Sequence, residues 1–302
     1  MSCPSLDVLL QSDEDMVVGV VTQPDRPKGR RRRVMPCDVK AHLGDRNVPV
    51  LTPENVNTPD SVAALTALAP ELIVVVAYGQ ILRQSILEWP RYGCINIHTS
   101  LLPKYRGAAP IQWAIANGDK QTGVTAMYMN QGMDAGDIIA QRSVPIPPEA
   151  DAGQMHTRLA QEGAILLARV VADIRRGRMQ RTPQDEQQVT FAPKLTKADG
   201  HIDWSHSAEQ IANRVRAFNP WPGAYCERFG AERTGKVKIL KARAEDAAGQ
   251  PGQVIEVSEC GPLVAAQRGA LRVLQVQPAG RRSMSGAEYL HGYEVSVGDM
   301  LE

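Results

Sequence analysis

Three runs of almost unbroken apolar residues constrain this chain more than any other feature: MVVGVVTQ from Met16, ELIVVVAYG from Glu71 and GCINIH from Gly93. Each is short, rich in Val and Ile and closed by turn residues, the pattern of a strand covered on both faces. Helical stretches lie between them. SLDVLLQS carries Leu6, Leu9 and Leu10 at helical spacing, and NTPDSVAALTALAP offers Thr58 as a cap with Pro59 at the first helical position. AAPIQWAIANGD reads as a helix, TGVTAMYM alternates like a strand, and DIIAQRSVPI extends from Asp137. Met155, Leu159, Leu166, Val170 and Ile174 then mark one face of a long helix. Buried strands alternating with helices predict a doubly wound, Rossmann-like α/β domain on a parallel sheet.

From about residue 200 the pattern changes to one helix near 208–217 and five short strands around 224–229, 237–242, 252–257, 262–266 and 271–277. That spacing suggests a small barrel, with Ser285 and Glu288 at capping-box distance for a late helix. The polar stretch TPQDEQQVTFAPKLTKADG separates the two patterns. The expected division is therefore a catalytic domain over 1–180, a linker over 181–199 and a second domain over 200–302. A chain of 302 residues, 43% hydrophobic and 22% charged, has room for both.

Several function classes are disfavoured. The longest apolar runs reach about a third of the length a membrane span needs. The first residues, MSCPSLDVLLQSDED, lack a basic region followed by a long apolar stretch, so a cytoplasmic protein is expected. Five cysteines without a CxxC suggest neither a disulfide framework nor a metal site. The absence of a GxGxxG loop argues against a nucleotide held through its phosphates. A net charge of +1 conceals one dense cluster, RPKGRRRR.

In a doubly wound sheet, ligands bind beyond the carboxyl ends of the strands, where Asn96 and His98 stand, and two-residue spacing puts both side chains on one face. An Asn donates to a developing oxyanion, and a His holds or donates a proton near neutral pH. In NQGMDAGDII, Asp134 and Asp137 are candidates for a carboxylate that orients the imidazole or takes a proton. Read without context, a lone His is as readily structural and an Asp-Gly pair is more often a turn.

NIHTSLLPKYRGAAPIQWAI followed by GMDAGDII resembles the signature of folate-dependent formyltransferases. TQPDRPKGR, GHIDW and FNPWPGA extend the similarity over essentially the whole chain, toward the members that formylate methionyl initiator tRNA. The resemblance implies Asn96, His98 and Asp134 as catalytic groups, with Asp137 in the motif but outside the chemistry. It implies Ser100, Leu101, Leu102 and Pro103 as folate contacts, and Tyr78, Gly79 and Gln80 along the same pocket. The implied donor is 10-formyltetrahydrofolate and the implied acceptor is the α-amine of methionine esterified to initiator tRNA. No metal and no covalent enzyme intermediate are required, and a monomer suffices. The same triad would also serve a formyltransferase for an amino sugar nucleotide or glycinamide ribonucleotide, or a hydrolase of the same folate. An inactive, truncated RNA-binding relative is the reading from another class.

The resemblance further implies an OB-like fold for the small barrel and a tRNA-reaching loop, on which Arg30 matches the family's arginine and Arg31, Arg32 and Arg33 add charge. Lys236 and Lys238, sharing a strand face by alternation, are candidate phosphate contacts. Family members begin with a strand and a Gly-Thr-Pro-x-Phe turn, whereas this chain starts at what reads as the following helix. A late-assigned start or a truncation is the expectation, with two sheet strands left without a backbone neighbour.

Overall fold

The computed structural model describes residues 1–28, 32–229 and 235–301. They form two compact units, one of Met1–Gly107, Thr122–Val144 and His156–Phe191, the other of Ala108–Gln121, Pro145–Met155 and the chain from Ala192.

In the first unit, α1 (Ser2–Leu10) precedes β1 (Val20–Val21), which pairs in parallel with β2 (Val50–Leu51). Thr58 accepts the Ser61 N–H and caps α2 (Pro59–Ala67), with Pro59 at the first helical position as expected. A second sheet runs in the order β3 (Ile73–Val75), β4 (Cys94–His98), β5 (Gln121–Tyr128), β6 (Ile138–Pro145). β3 is parallel to β4, but β5 is antiparallel to it, so the predicted parallel core turns mixed at β5. The long helix α3 (Ala152–Arg175) buries Met155, Leu159, Leu166, Val170 and Ile174 as its periodicity requires. Gly163 lets this helix approach the sheet: a Cβ there would sit 3.0 Å from Ile97 Cγ2 and 3.9 Å from Val124 Cγ1.

The two strand sets do not join. A cavity of about 930 Å³ separates β1 from β3, lined by residues 17–22 on one side and 72–78 on the other. Val20 N–H donates to Pro49 O at 2.8 Å and Thr22 N–H to Leu51 O at 2.9 Å. By alternation the backbone groups of Val21 face the cavity, and those of Val74 face it from β3.

In the second unit, Trp113 from the helix Pro110–Ala116 packs edge-on against Phe218, with centroids 6.3 Å apart, and donates its indole N–H to Pro193 O at 2.9 Å. Ser207 and Gln210 form a capping box on α4 (Ala208–Ala217). The strands β7 (Ala224–Phe229), β8 (Lys236–Glu245), β9 (Val254–Ser258), β10 (Gly261–Ala265), β11 (Ala270–Pro278) and β12 (Met300–Leu301) follow. They are ordered β9-β10-β11-β8-β7-β12, with Met284–Ser285 added on β11. A bridge between Gln253 and Met300 joins the two ends of this path, with Val254 N–H donating to Asp299 O at 2.8 Å and Leu301 N–H to Gly252 O at 2.9 Å. Ile211, Val215, Ile239, Val254, Leu271 and Val276 fill the interior. A capping box of Ser285 and Glu288 opens α5 (Gly286–Gly292). Among the described residues no helix is long and apolar enough to cross a membrane.

Candidate active site

β4 places Asn96 and His98 two residues apart, on one face of the strand. Cys94 and Ile95 are buried, whereas Asn96 is only half-buried at the position opposite Val75 of β3. Burial pushes the Cys94 thiol up to about 12 and its Sγ donates to Ile86 O, so the sulfur on this strand is no nucleophile at neutral pH.

Asn96, His98 and Asp134 come together. Asn96 Nδ2 lies 3.4 Å from Asp134 Oδ1, and His98 Nδ1 lies 3.6 Å from Asp134 Oδ2. His98 is buried, and its Nε2 donates to Tyr105 O at 2.9 Å. That carbonyl only accepts, so Nε2 carries a proton and Nδ1 is the ring nitrogen turned to Asp134. Asp134 has a left-handed backbone, φ +48°, and its Oδ2 accepts the Gly107 N–H at 2.9 Å. Asp137 stands apart: its carbonyl accepts from the Tyr128 N–H at 2.9 Å, closing the loop at its base. Gly136 is needed there for backbone approach, since a Cβ would fall 1.8 Å from Tyr128 O. The glycine thus serves a contact between the loop and the strand.

The Ser100 to Pro103 turn is a packed wall. Ser100 is fully buried and its hydroxyl donates to Lys104 O at 2.6 Å, while Leu102 is buried and precedes a cis proline. Thr125 Oγ1 donates to Ser100 O at 2.7 Å and Gln141 Nε2 to Leu102 O at 2.8 Å. Leu101 covers Gly123, where a Cβ would meet Leu101 Cδ2 at 2.5 Å. Across the strand ends, Tyr78 has a buried hydroxyl without a hydrogen-bond partner, which burial pushes up in pKa. Gly79 turns the chain at φ +83°, and Gln80 Oε1 accepts the Val56 N–H at 2.9 Å. Gln131 Nε2 donates to Gln84 Oε1 at 2.7 Å, so the Asp134 loop borders this segment.

Of the basic cluster, Arg30 and Arg31 lie outside the described residues. Arg32 and Arg33 are exposed at the end of a hairpin in which Arg26–Lys28 pairs with Arg33–Met35. Lys236 and Lys238 do share the outer face of β8. Lys236 Nζ sits 4.3 Å from the Tyr225 ring centre and 3.6 Å from Glu227 Oε1, and the Lys238 side chain runs beside Gly223.

Sequence reasoning missed the groups that hold the triad. Arg106 carries no motif of its own beyond the formyltransferase signature in which it sits, yet it is 5% exposed. Gln184 sits in the stretch taken as linker, yet its Nε2 donates to Asp134 O and Gly136 O, both at 2.8 Å.

The profile of the family described as Formyl transferase matches residues 5–171, and that of Formyl transferase, C-terminal domain, matches 194–294. Methionyl-tRNA formyltransferase of Geobacter sulfurreducens is 43% identical over 300 residues, 99% of this chain and 93% of its own length. That of Moorella thermoacetica is 45% identical, over 99% and 95%. HypX from Aquifex aeolicus, solved in complex with tetrahydrofolic acid, shares the fold at TM-score 0.57 and 23% identity, covering 92% of this chain and 48% of that one. A methionyl-tRNA formyltransferase from Clostridium thermocellum does so at TM-score 0.50 and 19% identity, over 69% and 86%. Both parts of the sequence thus match one family along nearly its whole length, and the chain belongs to the formyltransferases.

Proposed function

We propose that this chain transfers the formyl group of 10-formyltetrahydrofolate to the α-amine of methionyl initiator tRNA, with Asn96, His98 and Asp134 as the reacting groups. The observation that carries this reading is the convergence of an amide N–H and an imidazole on one carboxylate at the end of β4. The strand-end segments suit a folate: the Tyr78 hydroxyl is buried and unpartnered, and the packed Ser100 to Pro103 turn offers a firm wall.

When bound, 10-formyltetrahydrofolate supplies a formyl carbon open to attack by a neutral amine. The amine nitrogen bonds to that carbon as the bond from carbon to the folate nitrogen breaks. Asn96 Nδ2–H and a protonated His98 Nδ1 hold the formyl oxygen while it carries charge. Asp134 receives the proton that the amine loses and passes it to the departing nitrogen, so no charge accumulates. The product is N-formylmethionyl-tRNA, used where translation begins, in the cytoplasm, and one copy of the chain suffices. In this reading 1–180 is the catalytic domain, 181–199 the linker and 200–302 the tRNA-binding domain. Arg30, Arg31, Arg32, Arg33, Lys236 and Lys238 supply phosphate contacts that position rather than read the RNA.

The test is to incubate the chain with 10-formyltetrahydrofolate and methionyl initiator tRNA and follow N-formylmethionyl-tRNA. Asp134→Asn should lower turnover by about a thousandfold with folate binding mostly intact. Near-normal turnover in that variant would remove Asp134 from the chemistry, and no product from the unaltered chain would reopen the identity of the amine.

A further inference from the structure

The segment Tyr105–Gly107 grips both reacting side chains. Tyr105 O accepts from His98 Nε2 at 2.9 Å, and Gly107 N–H donates to Asp134 Oδ2 at 2.9 Å. Arg106, between them, points its guanidinium inward, where Nε and Nη2 donate to Gln184 Oε1 at 3.0 and 2.8 Å. Arg106 also forms a two-pronged pair with Glu186, through Nη2 to Oε1 at 2.8 Å and Nη1 to Oε2 at 3.3 Å. That pairing, with Arg106 first among the causes, holds the Glu186 carboxyl below its usual range.

A guanidinium only donates, so the Gln184 amide must turn its oxygen to Arg106 and its NH2 to the Asp134 and Gly136 carbonyls. This fixes an amide orientation that the atoms of Gln184 alone leave ambiguous. Asp134 needs such a hold, because φ +48° is a sparsely populated conformation for a residue with a Cβ. An unheld backbone would relax and swing the carboxylate away from His98.

We propose that Gln184, oriented by Arg106, is a positioning residue for the reaction: it locks the Asp134 to Gly136 loop so that the carboxylate faces His98 and Asn96. The inference rests on the proposed function for its kinetic readout and on geometry for the rest. Gln184→Glu isolates the donating half, because a carboxylate still accepts from Arg106 but offers nothing to the two carbonyls. Gln184→Ala removes both halves.

The experiment measures kcat and KM for both substrates in the full chain and both variants, with melting temperature and the hydrogen-exchange protection of the Gly107 amide. Gln184→Glu should lower kcat by about a hundredfold, leave both KM values within about threefold and leave the melting temperature close to that of the unaltered chain. The Gly107 amide, which bonds the Asp134 carboxylate, should exchange faster in both variants. Unchanged kcat, or a loss confined to KM, overturns the proposal, as does unchanged Gly107 protection. If the unaltered chain makes no formylmethionyl-tRNA, the functional reading fails while the Gly107 arm still decides the positioning role.

Discussion

At the scale of single residues, the site is a set of backbone demands as much as a set of reactive groups. Asp134 takes a left-handed backbone, Tyr105 does the same at φ +63°, and Gly136 lies where any side chain would strike the Tyr128 carbonyl. Gly136→Ala cannot be absorbed by a flexible neighbour, so it should cost about 2 kcal/mol or more in stability and reduce turnover as well. A melting curve and a turnover assay check this, and a fully active, fully stable variant would contradict the contact. Asn96 and His98 were legible as candidates because they share a strand face, and the family resemblance added Asp134 to them. Gln184 was not, because an amide in a polar stretch acquires its meaning only from the carbonyls and the guanidinium that surround it.

At the scale of elements, local signals did well where local physics decides. Thr58 with Pro59, and Ser285 with Glu288, cap helices at the predicted places; Ser207 with Gln210 caps a third, and Ser207→Ala should destabilise by about 1 kcal/mol in a denaturant titration. In the second unit Arg272 is buried, and its Nη2 lies 3.0 Å from Glu245 Oε2. Hydrogen bonds from Arg272, then Arg243, hold the Glu245 carboxyl below its ordinary value. Its folded pKa being depressed, this pair contributes stability above the unfolded carboxylate pKa and loses it as pH falls through the lower, folded one. Arg272→Met should therefore move the onset of acid unfolding toward higher pH, and an unchanged acid limb would show that Glu245 is held otherwise. The basic cluster read as a projecting loop, and its described part is the exposed hairpin ending at Arg32 and Arg33. Arg30→Ala should impair tRNA use far more than folate binding, measured as separate KM and Kd values. Equal loss of both would take Arg30 off the tRNA path.

At the scale of the whole molecule, the cavity between β1 and β3 interrupts the sheet of the first unit, and Met1 and Ser2 line it, with Ser2 Oγ donating to Val76 O at 2.7 Å. By itself the sequence determined the alternation of buried strands and helices, the barrel-like second half and the caps, because these follow from short-range periodicity and residue type, while the triad became a candidate through the family resemblance. Only the tertiary structure decided the antiparallel turn at β5, the bridge between Gln253 and Met300, and the hydrogen bonds by which Tyr105 and Gly107 hold His98 and Asp134 while Arg106 holds Gln184. Those depend on hydrogen bonds between residues far apart in the chain, up to 78 positions for Arg106 and Gln184, and no local pattern encodes which distant donor will meet which acceptor.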